Sequence, residues 1–267
     1  MIKHILSKKN RILLAELVRT DFKLRYQGSV LGYAWSLLRP LLLFLILYVV
    51  FVKFLRLGND IPHFPIYLLL GIVLWNFFAE MTSQSLGSIV GRGDLIRKIR
   101  IPRWIIVLSS SVSALINLGL NLLVVAVFML FNRVDITANI VWFPLILAEI
   151  YIFALGISLF LAASFVKYRD VSYIWEVIMQ AAFYLTPIIY PLAVITDVRL
   201  QKFILLNPIA QAMQDARSSL VSTATLTIGD VFGTPAARLI PLTLSIAVLA
   251  IGTWHFKRES KFFAENL

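Results

Sequence analysis

A chain of 267 residues that is 60% hydrophobic, with a mean hydropathy of +0.85, is too apolar to be a soluble domain. Its formal net charge of +11 would suit a polyanionic partner. The cations flank long apolar stretches, however, as membrane insertion requires, so the charge does not argue for nucleic acid. Cysteine is absent, which excludes disulfides, thiolate chemistry and Cys-ligated metals.

The start, MIKHILSKKN, has no apolar core of signal-peptide length, so the first span is expected to do the targeting. Residues 11–27 predict an amphipathic helix. Leu14, Val18, Phe22 and Tyr26 recur every four residues with Leu13 and Leu17 beside them, and Arg11, Glu16, Arg19, Lys23 and Arg25 fill the rest. Such a helix is expected to lie in the headgroup plane with its cations toward anionic lipid. The chain then turns through Gly28, Ser29 and Gly32 into Tyr33, Trp35 and Pro40, with Trp35 suited to the interfacial belt.

Six apolar stretches follow, at 37–54, 64–81, 104–131, 140–165, 171–194 and 239–254. About 20 apolar residues are needed to cross a bilayer as a helix, and a helix is the form that satisfies the backbone there. The fold class is therefore an all-α polytopic membrane protein. A tail (1–33) with an interface helix precedes a six-span domain (34–267). Seventeen Lys and Arg residues fall on the side of the two termini and seven on the other, with Arg39 at the mouth of the first span. This bias predicts that both termini are cytoplasmic.

Between the second and third spans, Gly91-Arg92-Gly93 reads as flexible, Asp94 as the cap of a short helix and Pro102 as its end. Leu95, Ile96 and Ile99 would give that helix an apolar side, and Arg97, Lys98 and Arg100 a basic one. It is expected to dock onto headgroups or a cytoplasmic subunit. The outward segment 195–235 is too long for a simple loop. Phe203, Leu206, Ile209 and Met213 suggest helices lying on or dipping into the outer leaflet, as a re-entrant pair before the last span.

No constellation for chemistry is found. His4, His63 and His255 are scattered, and there is no Asp-x-Asp pair and no Gly-x-x-x-x-Gly-Lys-Ser/Thr phosphate loop. Intramembrane carboxylates are functional candidates because they are costly to insert. Glu149 and Glu176 qualify, whereas Glu80 lies near the inner end of its span. The alternative is hydrogen bonding between helices at Asn117, Asn121, Glu149 and Glu176. Phe44, Tyr48 and Phe51 form one aromatic stripe and Trp75 and Phe78 another. Tyr173, Trp175, Phe183 and Tyr184 enrich the fifth span. Ring faces pack against sugar C–H surfaces and Tyr hydroxyls bond sugar hydroxyls, so the set fits a conduit for a sliding glycan.

In this order, Tyr26-Gln-Gly-Ser-Val-Leu-Gly-Tyr-Ala-Trp35 with Pro40, Asp94-Leu-Ile-Arg-Lys98 with Ile101-Pro-Arg103, Tyr168-Arg-Asp-Val171, Thr186-Pro-Ile-Ile-Tyr190 and Leu206-Asn-Pro208 run over nearly the whole chain. Together they resemble the permease subunits of type-2 ABC exporters, particularly those for bacterial polysaccharides such as O-antigen, capsule and teichoic acid. The resemblance implies a homodimer in the bacterial cytoplasmic membrane carrying two copies of a separate ABC ATP-binding subunit. That subunit would bind ATP and magnesium, leaving this chain without a cofactor or catalytic site. The cargo would be a lipid-linked polysaccharide. The resemblance also implies coupling to the ATPase through Asp94, Leu95, Ile96, Arg97, Lys98, Ile99, Pro102 and Arg103, with Arg169 and Asp170 as a second contact. The substrate would enter near Tyr26, Gly32, Tyr33 and Trp35. Its path would pass Phe44, Tyr48, Phe51, Phe183, Tyr184 and Tyr190. Drug and lipid exporters share the fold. An enzyme acting on polyprenyl-linked sugars, or an ion-coupled carrier using Glu149 or Glu176, are the competing classes.

Overall fold

The computed structural model describes residues 7–25, 28–32, 34–54, 61–98, 101–135 and 137–266, and among these it is helical with no strand. The order is α1 (Lys8–Arg25), α2 (Ala34–Leu47, continued by a π-helical stretch, Tyr48–Phe54), α3 (Phe64–Ser88), α4 (Gly93–Lys98), α5 (Trp104–Phe131) and α6 (Phe143–Lys167). It continues with α7 (Val171–Leu185), α8 (Val198–Leu205), α9 (Pro208–Leu220), α10 (Ile228–Phe232), α11 (Leu239–Glu259) and α12 (Phe263–Asn266). Five helical stretches among the described residues are long and apolar enough to cross a membrane: Ala34–Phe51, Phe64–Ser88, Trp104–Phe131, Ala138–Lys167 and Pro235–Phe262.

Helix starts follow local chemistry. Proline occupies the first turn of α3, α6 and α9, where its missing N–H is no loss. Asp197 and Asn207 cap α8 and α9 by accepting from the N–H groups of Arg199 and Ile209.

The region predicted as a fifth span over 171–194 is not one helix. Thr186 precedes Pro187 and is forced to extended backbone (ψ 136°), which ends α7 after 15 residues. At 1.5 Å per residue α7 is about 22 Å long, short of the roughly 30 Å of hydrocarbon.

Burial ranks the helices. In α3, 78% of the apolar window is buried, against 11% in α2, so α3 is the central post and α2 sits at the edge. Tyr67 to Phe78 of α3 pack against α5, α6 and α9. On its far side α6 packs along α11, and the two backbones nearly touch. A Cβ added at Gly252 would lie 2.0 Å from the Gly156 carbonyl oxygen, and one at Gly156 would lie 2.6 Å from the Leu249 nitrogen. Small residues allow this approach where no hydrophobic force drives helices together.

At the α1 end a second cluster gathers Leu17, Ile89, Ile105, Ile106, Val166, Phe256 and Phe263. The apolar face of α1, Leu13, Leu14 and Leu17, lies on this cluster and on α5. The apolar face predicted for this helix is thus covered by the chain's own helices: periodicity revealed an apolar face but not what covers it.

Gly252→Leu is expected to separate α11 from α6 and destabilise the protein by about 3 kcal/mol or more. Gly119→Leu, where an added Cβ meets nothing within 4 Å, should be tolerated. Thermal midpoints in detergent check this, and equal midpoints would refute the close crossing.

Candidate functional site

Three features stand out at and between these helices. The first is the connection from α3 to α5. From α3 as far as Lys98 it is a continuous helical run, not a flexible Gly91-Arg92-Gly93 segment with Asp94 as cap. α3 passes through a 3₁₀ turn (Val90–Arg92) into α4, with Ile89 and Gly93 both in right-handed helical geometry and Asp94 inside the first turn. Arg92 fixes the run. Its Nη2 pairs with the Asp21 carboxylate of α1, and its Nη1 donates to Ser109 Oγ of α5 at 3.0 Å, while Ser109 Oγ lies 3.3 Å from the other Asp21 oxygen. Asp21 and Arg92 were not legible as a pair, because 71 residues separate them.

Leu95 and Ile96 are half-buried against the chain's own cluster, so that part of the apolar face is already covered. Asp94, Arg97 and Lys98 remain exposed, and Pro102 leads into Arg103, whose guanidinium lies 5.8 Å from the Phe263 ring. Arg169 and Asp170, between α6 and α7, are exposed at the same end, Arg169 stacking 5.1 Å from Phe165. Ile99, Tyr26 and Tyr33 lie outside the described residues.

The second feature is a cleft of about 620 Å³ between α3 and α7. Trp75, Trp175, Phe183 and Tyr184 line it, and Glu176, Gln180 and Ser83 supply polar groups. The rings interlock edge to face: Trp75 with Phe183 at 5.8 Å and Phe183 with Tyr184 at 5.4 Å. The Trp175 indole nitrogen is buried with no acceptor. Of the predicted path residues, Phe183 and Tyr184 meet here. Phe44 does not; it is buried edge-on against Phe128 of α5, with Tyr48 beside it at 5.9 Å. Phe51 is half-buried further along the same helix, outside the cleft. Tyr190 donates its hydroxyl to the carbonyls of Tyr184 and Leu185 (3.2 and 3.3 Å), holding the end of α7.

The third is a polar cleft of about 450 Å³ between α2, α3 and α5, reaching Trp35. Glu80 accepts from Gln84 Nε2 (2.8 Å) and Asn117 Nδ2 (2.5 Å), and Asn121 Nδ2 donates to the Ser36 carbonyl (3.3 Å). Glu80 thus bridges helices, while Glu176 stands exposed at the aromatic cleft. Glu149 is buried and its Oε1 has no hydrogen-bond partner. Asp215 of α9 pairs with Arg238 at 3.1 Å, an ion pair the sequence reading did not find.

The most constrained group was also missed. Arg217 of α9 is fully buried. Its guanidinium donates to the carbonyls of Tyr67 (3.0 Å), Pro187 (2.5 Å) and Ile188 (2.7 Å) and to Gln214 Oε1 (3.1 Å), and stacks 3.7 Å from the Tyr67 ring. It satisfies the carbonyls that the break after α7 leaves without helical partners. Gly71 makes room, since a Cβ there would lie 2.2 Å from Nη2. No short motif signals such a residue, because its partners come from three segments far apart in sequence.

Five helices long and apolar enough to cross a membrane, with clefts of aromatic and amide walls between them, define a polytopic membrane protein. The chain belongs to the ABC-2 type transporter family, whose profile matches residues 13–221. It is 32% identical to the O-antigen export system permease protein RfbA of Myxococcus xanthus over 204 residues, 76% of this chain and 78% of that protein. It is 31% identical to the RfbA of Klebsiella pneumoniae over 199 residues, 74% and 76% of the two chains. A more distant relative is the polysialic acid transport protein KpsM of Escherichia coli, 20% identical over 213 residues, 79% and 82% of the two. As a member of this family the chain is a transport subunit and not an enzyme.

Arg217→Met should leave the buried carbonyls of Pro187 and Ile188 unpaired, at about 1–3 kcal/mol each. Arg217→Lys should rescue little, because one ammonium cannot reproduce the planar fork. Faster proteolysis around 186–190 and a lowered thermal midpoint would be the readout, and unchanged values would refute the role.

Proposed function

We propose that this chain is the membrane subunit of an ATP-driven exporter that moves a lipid-linked polysaccharide across the bacterial cytoplasmic membrane. Two copies form the conduit, and two copies of a separate ATP-binding subunit drive it. What carries this reading is the 32% identity over 76% of the chain to a permease named for O-antigen export. The cleft walled by Trp75, Trp175, Phe183 and Tyr184 supports it further. Flat rings offer a sugar chain many weak, equivalent contacts, which suits movement better than one tight site does.

The arrangement is six crossings, by α2, α3, α5, α6 and α11 and by the segment 171–194, in which α7 covers most of the thickness and the chain beyond its break completes the crossing, with both termini cytoplasmic. The excess of cations at the α1 end supports this orientation. α8 and α9 enter the outer side as a re-entrant pair. The near-complete burial of α9 supports this, since an irregular segment at depth needs protein around it. ATP-driven closure pushes on Asp94, Arg97, Lys98, Arg169 and Asp170, and the Asp21–Arg92–Ser109 clamp passes the motion to α1, α3 and α5 together. The glycan's lipid end enters near Gly32 and Trp35.

Because Leu95 and Ile96 pack within this chain, the exposed pair Arg97 and Lys98 is the cleaner test. Charge reversal of both should lower glycolipid-stimulated ATP hydrolysis by the reconstituted complex about tenfold or more, with membrane insertion unchanged. Undiminished stimulation would count against the coupling role. Trp175→Ala should slow export about three- to tenfold, the loss of one aromatic contact of about 0.5–1.5 kcal/mol. Vesicles holding only this chain, exporting at the full rate, would overturn the whole reading.

A further inference from the structure

We propose that the polar cleft between α2, α3 and α5 is the binding site for the first sugar of the lipid-linked cargo, with Asn117 as its buried recognition group. This rests on the exporter reading above and assigns that reading a recognition site.

The argument starts from Asn117. It is 4% exposed and lines the cleft, and its Oδ1 has no hydrogen-bond partner. The amide cannot be turned around to relieve this, because Nδ2 is needed to donate to Glu80 Oε1 and a reversed amide would set oxygen against oxygen. A buried amide oxygen left unpaired inside a membrane bundle is costly, and such groups mark ligand positions.

The rest of the lining matches one chemistry. Gln84, Asn117 and Asn121 offer amides, Glu80 a carboxylate, and Trp35 an aromatic face at the mouth. Amide and carboxylate groups together accept from and donate to adjacent hydroxyls, while a ring covers the C–H face of a sugar. Arg39, exposed at the same mouth and in no ion pair among the described residues, supplies a cation for the adjoining phosphate. The volume, about 450 Å³, far exceeds the roughly 30 Å³ share of one bridging water. A bare metal ion is disfavoured, because Glu80 is the cleft's one carboxylate and hard cations gather several.

The cleft also adjoins the aromatic one. Ala79 and Ser83, one turn apart on α3, line both.

The test uses the complex of this chain with its ATP-binding subunit in lipid nanodiscs. Equilibrium binding is measured for undecaprenyl diphosphate bearing one N-acetylhexosamine, for undecaprenyl phosphate, and for soluble N-acetylhexosamine 1-phosphate. Asn117→Leu removes the amide. Ser83→Trp fills the cleft from an exposed position and removes no recorded hydrogen bond. Each should lower affinity for the glycolipid about tenfold or more while affinity for undecaprenyl phosphate stays the same. Wild-type glycolipid affinity in both variants would overturn the proposal, and so would an equal loss for both lipids, which would mark a phosphate site. Soluble sugar phosphate binding as tightly as the glycolipid would overturn the lipid-linked assignment. Failure of the unmodified complex to export would sink the exporter reading, whereas normal export by both variants would sink the cleft alone.

Discussion

The fold turns on one buried cation. Proline at 187 stops α7 well before it could cross a bilayer, and the carbonyls beyond the break would be stranded without water. Arg217 answers that problem from α9, donating to Pro187, Ile188 and Tyr67 at once and covering the Tyr67 ring. A guanidinium suits this role because it presents several donors in one plane and stays charged. Its partners are carbonyl dipoles and a π face, with no carboxylate among its recorded bonds. That arrangement ties the short helix α7 to the central helix α3 through α9. Remove it, and α3, α7 and α9 have no common anchor.

At the opposite end the same logic is applied with ions. Asp21, Arg92 and Ser109 join α1, the α3–α4 turn and α5. Arg97 and Lys98 therefore extend from a braced unit and not from a loose loop. Between the two anchors lie the clefts, and they differ in kind: one walled by rings, the other by amides around Glu80. Both border α3, the helix held at each end.

Much of this was legible in sequence because the bilayer is a severe solvent. Hydrocarbon forbids unpaired backbone, so long apolar runs had to be helices, and 104–131 coincides with α5 as drawn. Prolines at 65, 144 and 208 marked helix starts for a local steric reason. The Gly28–Trp35 turn and the basic character of 92–103 could likewise be read from neighbours in the chain.

What sequence alone determined was the membrane class, the helical content and the family, all of which depend on composition, periodicity or motif order. Tertiary structure decided which polar groups meet. Glu80 finds Asn117, Arg92 finds Asp21, and Arg217 finds Pro187, each across at least 30 residues. It also decided that Phe44 faces Phe128 while Phe183 faces Trp75, although both belong to aromatic-rich stretches. Periodicity tells which side of a helix is apolar. Only packing tells what that side touches, because contact energy depends on the neighbour that arrives.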